Sequence, residues 1–450
     1  MKNYFGTDGI RGVAGEPPLD PRTVYAAGLA LGDDLASRHP APVRVVFGED
    51  TRESSASIAA TLAAGLAAQG VAAVGAGVLP TPGVAYLAHV GDFAAGIMIS
   101  ASHNPYQDNG IKIFGHSGFK LPDEEEAGIE AAITGYLDRP LAPQSRPVPV
   151  DPELRGAYTR HLAARFRGVD FSGLRIVVDC AHGAASMVAP EVFAALGVAV
   201  EVVAAAPSGR NINAGVGALY PEPLAAQVRA GRADAGIALD GDADRAILAD
   251  HQGVIVDGDA VLLMAARELS AAGKLTPPVV VGTVMTNLGL ERALAKQGIR
   301  LERTPVGDKY VLERMQALGA VLGGEPSGHV IFGAEATTGD GLLTALHCLD
   351  LMARRRQTLS ALVQGWTRMP QTIVNVRVRA KVPLEELAAV QAAIARAHVE
   401  FAALAGGGRV LVRYSGTEKL ARVMVEAASA PDVTRHAEAI AQALRSAIGQ

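Results

Sequence analysis

One order of segments recurs three times along the 450 residues, and each time it ends in a polar loop. The first pass begins with the strand VRVVFGEDTR at Val43. A small-residue helix runs through Leu66, Gly70-Val71 opens a second strand, and after Pro80-Thr81-Pro82 a third strand stops in SASHNP. The second begins with LRIVVDCAHG at Leu174, has a helix over 188–196, passes through VAVEVV and ends AGIALDGDADR. The third begins with VVVGTVMTN after Pro278, has a helix through Leu294, and ends AVLGGEPSGH. The same loop position in three consecutive units predicts three tandem, similar α/β domains with mixed sheets, presenting three edges to one central cleft.

Each loop carries chemistry. Ile97, Met98 and Ile99 are apolar without polar alternation, which predicts a strand buried on both faces, as in a parallel sheet. The loop after such a strand is where open α/β sheets hold ligands. It presents Ser100, Ser102, His103 and Asn104, stops at Pro105, and crosses Asn109-Gly110 to Lys112. A serine hydrolase is a poor fit: neighbouring side chains in extended chain diverge, so His103 is badly placed for the Ser102 proton, and there is no G-x-S-x-G elbow. The competing reading is a turn whose serines satisfy backbone groups.

In DGDADR, Gly241 and Ala243 are small enough to let the chain curl so that Asp240, Asp242 and Asp244 converge. Three close carboxylates demand a cation, and oxygen-only ligands favour Mg²⁺ over Zn²⁺. An EF-hand is excluded, because Arg245 stands where that loop needs Gly and His251 where it needs Glu. GEPSGH offers Glu325, Ser327 and His329: the first two suit vicinal hydroxyls or an amine, and His329 suits a donor or base. RYSGTEKLAR places Arg413 and Arg422 around Ser415, Gly416 and Thr417, an arrangement suited to phosphate. Ordinary turns are the alternative for both. The opening FGTDGIRG is expected to be a polar loop, with Asp8 and Arg11, that packs onto something else.

The expected divisions are 1–151 with the serine loop, 152–257 with the aspartate loop, 258–369 with GEPSGH, and 370–450, a smaller α+β domain. The Pro-rich RPLAPQSRPVPVDP marks the first of them. Net charge is −5, and the 41 basic residues form no block, which argues against a nucleic-acid or anionic-membrane surface. Cys180 and Cys348 lack metal-ligand spacing, and Cys348 reads as helix core. The N-terminus has no apolar leader and no apolar run spans a bilayer, so a soluble cytoplasmic protein is expected.

In FGTDGIRG, SASHNP with NGIK, DGDADR, VGDKYV, GEPSGH and RYSGTE, taken in that order, the chain resembles the α-D-phosphohexomutases along its whole length, and most closely the bacterial branch acting on glucosamine phosphate. The resemblance implies four domains around a deep cleft. It implies a phosphoserine at Ser102 and one Mg²⁺ per subunit on Ser102, Asp240, Asp242 and Asp244. Sugar recognition falls to Glu325 and Ser327, and phosphate binding to Arg413, Ser415, Gly416, Thr417 and Arg422. Arg11, His103, Lys112, Arg245 and His329 join Ser102 as catalytic groups, with the base at the sugar hydroxyl either His329 or Lys112.

The implied reaction converts glucosamine 6-phosphate to glucosamine 1-phosphate through a 1,6-bisphosphate, which also serves as activator, and feeds UDP-N-acetylglucosamine synthesis. A phosphosugar is then the only expected partner, with a homodimer as one admissible assembly. Ala243 stands where many members have Gly, and Lys419 where Pro is common. The alternatives are a phosphomannomutase or phosphoglucomutase with the same chemistry, a Mg²⁺-dependent sugar phosphatase, and a non-catalytic sugar-phosphate sensor.

Overall fold

The computed structural model describes residues 4–6, 8–404, 406–415 and 419–450. Its packing divides the chain into two units: Met1–Thr283 with Thr304–Gln364, and Val284–Arg303 with Gly365–Gln450.

In the first unit, one sheet has the order Phe5–Gly6, Gly9–Val13, Asp108–Gly115, Ala95–Ile99, Val43–Glu49, Val71–Val78. Ala95–Ile99 is wholly buried, as its composition predicts. It has one parallel neighbour, Val43–Glu49, and one antiparallel, Asp108–Gly115, so the sheet is mixed, as expected of these domains. FGTDGIRG departs from expectation. It is not a loop but two short paired strands, the second joined antiparallel to Asp108–Gly115 with Ile10 opposite Ile111. Burial of Phe5 and Ile10 explains this; glycines at every third position, 6, 9 and 12, mask the two-residue period.

A second sheet has the order Ile255–Val256, Ala246–Asp250, Ala235–Leu239, Arg175–Asp179, Ala199–Val203. In a third, Val279–Thr283 lies parallel to Leu322–Gly324, which pairs antiparallel with Val330–Phe332. The recurrence is therefore physical. In each sheet a buried strand runs into its polar loop, and the next strand returns antiparallel beside it.

Helices cover these sheets because their apolar faces, rich in Ala, Val and Leu, have nowhere else to go. Pro21–Arg38 packs on Ser55–Ala68, where Gly28 and Gly65 let the two backbones meet. Its start is set by Asp20, whose carboxylate accepts from Arg22 and Thr23 N–H, with Pro21 at the first helical position. Cys348 sits in the core of Gly341–Arg355, as read. No helix among the described residues is long and apolar enough to cross a membrane.

The second unit holds the antiparallel sheet Gln371–Arg377, Leu420–Ala427, Gly408–Tyr414 under helices Ala388–Ala402 and Ala430–Ile448, the α+β order that the sequence predicts. It also takes in Val284–Arg303, which the sequence places with the third domain. Polar contacts explain the attachment: Asn287 bonds Met369 N–H at 2.9 Å and C=O at 3.0 Å, and Arg409 reaches the carbonyls of Val284 and Thr286 at 2.9 and 3.1 Å.

Candidate active site

Ser102 lies three residues beyond the end of Ala95–Ile99, buried, at φ 52°. L-residues other than Gly seldom adopt this left-handed conformation. It turns the side chain so that Oγ donates to Asp240 Oδ2 at 2.6 Å. It also corrects the expectation that Ser102 and His103 diverge: the chain is not extended there, and His103 Nδ1 stands 3.3 Å from Ser102 Oγ. Burial, and then Arg245 and Arg11, depress His103 to about 4, which leaves a neutral ring near neutral pH.

Asp240, Asp242 and Asp244 follow the buried strand Ala235–Leu239, and each offers a carboxylate oxygen within 4.8 Å of the others. The curl runs through Ala243 at φ 56°, a conformation that Gly adopts more readily. Gly241 lies under the serine loop; a Cβ there would come 2.5 Å from the Ser102 carbonyl oxygen. Burial and then the charges of Asp244 and Asp242 push Asp240 up to about 8. Asp242 Oδ2 accepts from Lys112 Nζ at 2.7 Å and from Thr81 Oγ1, but Asp242 Oδ1 and Asp244 Oδ1 are buried with no hydrogen-bond donor among the described residues. Orphaned carboxylate oxygens are costly. A donor set of this kind fits a hard divalent cation.

A cationic rim faces the cluster. Lys112 is buried, 3.1 Å from Asp8 and 3.6 Å from Asp244. Burial alone would lower it, but Asp242, Asp8 and Asp244 outweigh that and hold it protonated. Arg11 pairs with Asp8 and donates to the Ala101 carbonyl at 3.2 Å. Arg245 Nε lies 3.7 Å from Asp244. Lys120 links Asp8 to Asp308, the aspartate of VGDKYV.

In GEPSGH, Glu325 Oε1 accepts from Gly307 N–H at 3.1 Å, and Ser327 Oγ lies 3.4 Å from Glu325 Oε2. His329 Nδ1 is 3.5 Å from Asp244 Oδ1. Burial opposes its protonation, but Asp244 and then Asp308 prevail and raise it to about 9. The 3.0 Å bond from Gly339 N–H to Nε2 nevertheless requires a lone pair there. With that lone pair in use the ring is neutral, its proton on Nδ1 towards Asp244. The structure thus brings Arg11, Ser102, His103, Lys112, the three aspartates, Arg245 and His329 together.

In the second unit, Arg413 and Arg422 are directly opposite in adjacent strands. Burial and then the facing Arg422 lower Arg413, and like charges so placed are unfavourable until an anion joins them. Ser415 N–H donates to the Leu420 carbonyl at 2.8 Å, and its own carbonyl accepts from Lys381 at 2.7 Å. Lys419 is exposed. Gly416 and Thr417 lie outside the described residues.

Comparison with known families decides the membership. Models of the phosphoglucomutase/phosphomannomutase α/β/α domains I, II and III match residues 2–139, 156–253 and 257–369, and the model of the C-terminal domain matches 373–443. The chain belongs to this family, the phosphohexomutases. A phosphoglucosamine mutase of Solibacter usitatus is 53% identical over 449 residues, covering 100% of both chains. One of Koribacter versatilis is 51% identical over 457 residues, covering 100% of this chain and 98% of that one. Among solved structures, a phosphoglucomutase/phosphomannomutase family protein from Burkholderia thailandensis superposes with a TM-score of 0.80 at 25% identity, covering 99% and 98% of the two chains.

Within this phosphohexomutase site, sequence reasoning passed over Asp50, Arg52, Thr81 and Asn213. Thr81 N–H donates to the Asp242 carbonyl at 2.9 Å, and its hydroxyl bonds the carboxylate. Arg52 and Asn213 bond the carbonyls of the serine loop. The available signal was VRVVFGEDTR, an apolar strand that stops on an acid and a base two residues apart.

Proposed function

We infer that the chain is an isomerase that interconverts glucosamine 6-phosphate and glucosamine 1-phosphate. The observation that carries the chemistry is the buried Ser102 hydroxyl 2.6 Å from a carboxylate of a three-aspartate cluster. The sugar is assigned from full-length identity of about half to phosphoglucosamine mutases.

In this reading Ser102 is the phosphoryl carrier. The P–Oγ bond of phospho-Ser102 breaks as a bond forms from phosphorus to the free sugar hydroxyl, whose proton passes to a base. The bisphosphate then turns over and returns its other phosphoryl group to Ser102 Oγ, and the same bisphosphate charges an unphosphorylated enzyme. A magnesium ion held by Asp240, Asp242, Asp244 and the serine phosphate would offset the charge on the transferring group.

Lys112, Arg11 and Arg245 supply fixed positive charge, and neutral His103 stands beside Ser102 Oγ to receive or return its proton. The base at the sugar hydroxyl is Lys112 or His329. Lys112 must first shed a proton held by Asp242, and His329 must first release the Gly339 N–H. Glu325 and Ser327 are assigned to the sugar, and Arg413, Ser415 and Arg422, with Gly416 and Thr417, to the phosphate that is not reacting.

Phosphorus NMR of the protein with Mg²⁺ and glucosamine 6-phosphate should show the 1-phosphate growing in. Comparing kcat/KM for the glucosamine, glucose and mannose phosphates should rank glucosamine first; a preference for mannose would transfer the assignment to a phosphomannomutase, and inorganic phosphate as the product to a phosphatase.

The Arg413 to Arg422 loop gives a separate expectation. Losing a charged contact to an enclosed phosphate costs ~2–5 kcal/mol, so Arg422→Ala should raise KM in both directions by similar factors and release more 1,6-bisphosphate per turnover. A change confined to one direction would remove this loop from the shared role.

A further inference from the structure

We propose that Arg52 and Asn213 are positioning residues for Ser102: together they clamp the serine loop by its carbonyls and hold residue 102 in the left-handed conformation that aims Oγ at Asp240. The inference rests on the reading of Ser102 as phosphoryl carrier. Asp50, Arg52 and Asn213 belong to none of the polar loops that the sequence singles out.

Asp50 lies just past Val43–Glu49, which pairs in parallel with the serine strand, Glu49 opposite Ile99. Its Oδ2 accepts from Ser100 Oγ at 2.6 Å and from Arg52 Nε at 2.8 Å, and its Oδ1 from Arg52 N–H and Ser55 Oγ, each at 3.0 Å. Ser100 Oγ in turn accepts from Ser102 N–H at 2.9 Å. Arg52, wholly buried, uses Nη2 on the carbonyls of Ser102 and Asn104, both at 2.9 Å, and Nη1 on those of Pro105 and Asp108.

Asn213 comes from the second sheet's connections. Its Nδ2 donates to the same two carbonyls, Ser102 at 2.9 Å and Asn104 at 3.1 Å. The N–H and the C=O of Ser102 are thus both tied, the first through Ser100 to Asp50 and the second to Arg52 and Asn213. A serine at φ 52° is held against its own preference, and two buried donors on one carbonyl are what hold it.

The function served is placement. A phosphoryl carrier must keep Oγ fixed while the bisphosphate exchanges its ends, and a displacement of about 1 Å can cost ~10²-fold in rate. A guanidinium fork shared by two carbonyls, backed by a carboxylate and joined by an amide from another sheet, resists that displacement without touching substrate.

The discriminating variant is Asn213→Asp in the full chain. It keeps the shape, and Asp tolerates the φ of 58° found at 213, but as a carboxylate it donates nothing. Phosphoserine content would be fixed by intact mass, and transfer to a hexose 6-phosphate with Mg²⁺ followed in a rapid-quench single turnover. The acceptor would be whichever of the glucosamine, glucose or mannose phosphates the wild type uses fastest.

Expected is a fall of roughly 30- to 100-fold per phosphorylated site in Asn213→Asp and Asn213→Ala alike, with KM within about twofold; Tm should fall further in Asn213→Asp, whose buried carboxylate faces two carbonyls, than in Asn213→Ala. Arg52→Lys, which keeps the charge beside Asp50 but loses the fork, should show the same pattern. Wild-type transfer by Asn213→Asp would mean that shape alone suffices and overturns the clamp. So would a loss found only in phosphoserine content or KM. A wrong sugar assignment leaves the test standing, whereas a wild type that transfers to none of the three sugars overturns both readings.

Discussion

Ser102→Ala should lose mutase turnover by roughly 10³-fold or more, the scale at which removing a covalent carrier acts in enzymes that depend on one. The methyl group fits the space, and Ala already occupies the same left-handed conformation at 243, so folding should survive. What is lost is the oxygen 2.6 Å from Asp240, and with it any route for a phosphoryl group to leave one sugar oxygen and return to another. The remaining cluster still offers three carboxylates, so magnesium binding should persist, weakened by one ligand position. Intact-mass analysis should show the phosphorylated fraction of the wild type disappear. Turnover within tenfold of wild type would show that Ser102 is not the carrier, and binding measured by calorimetry on the same variant would separate that result from a damaged site.

The three polar loops were legible because they stand where physics puts ligand sites, just past buried strands, and because three carboxylates separated by single small residues have few other uses. FGTDGIRG was legible as chemistry but not as a strand: Phe5 and Ile10 are its only large apolar residues, and the glycines erase the alternation. His103 was misplaced because the sign of φ at Ser102 is set by Arg52 and Asn213, residues 50 and 111 positions away in the chain. The Asn213 side chain donates only to main-chain carbonyls, and Arg52 spends both its Nη atoms on them; since every residue has a carbonyl, the acid and base that end VRVVFGEDTR do not say in the sequence what they hold.

Asp242→Asn is expected to cost roughly 10²- to 10³-fold in kcat/KM at low Mg²⁺, and the reason lies in what the carboxylate already holds. Asp242 Oδ2 is the nearest anion to Lys112, 2.7 Å from a buried ammonium, and it also takes the Thr81 hydroxyl; Oδ1 has no donor among the described residues. The amide preserves the shape and can still accept from Thr81, but it withdraws the charge. Lys112 keeps Asp8 at 3.1 Å and Asp244 at 3.6 Å, so it is left under-compensated and not bare; losing one anionic ligand of the cation removes several kcal/mol of charge stabilisation in the transition state, which at about 1.4 kcal/mol per decade gives the predicted loss. Two effects are then superposed, a weaker cation site and an over-positive Lys112, and magnesium separates them. Raising the ion should recover the part due to weaker binding, while the part due to Lys112 should remain as a reduced kcat at saturation. Reversible loss of wild-type turnover on chelation is the matching control. If Asp242→Asn keeps wild-type activity at micromolar Mg²⁺, the three aspartates are a buried polar turn neutralised by Lys112, Arg11 and Arg245, and the metal assignment falls.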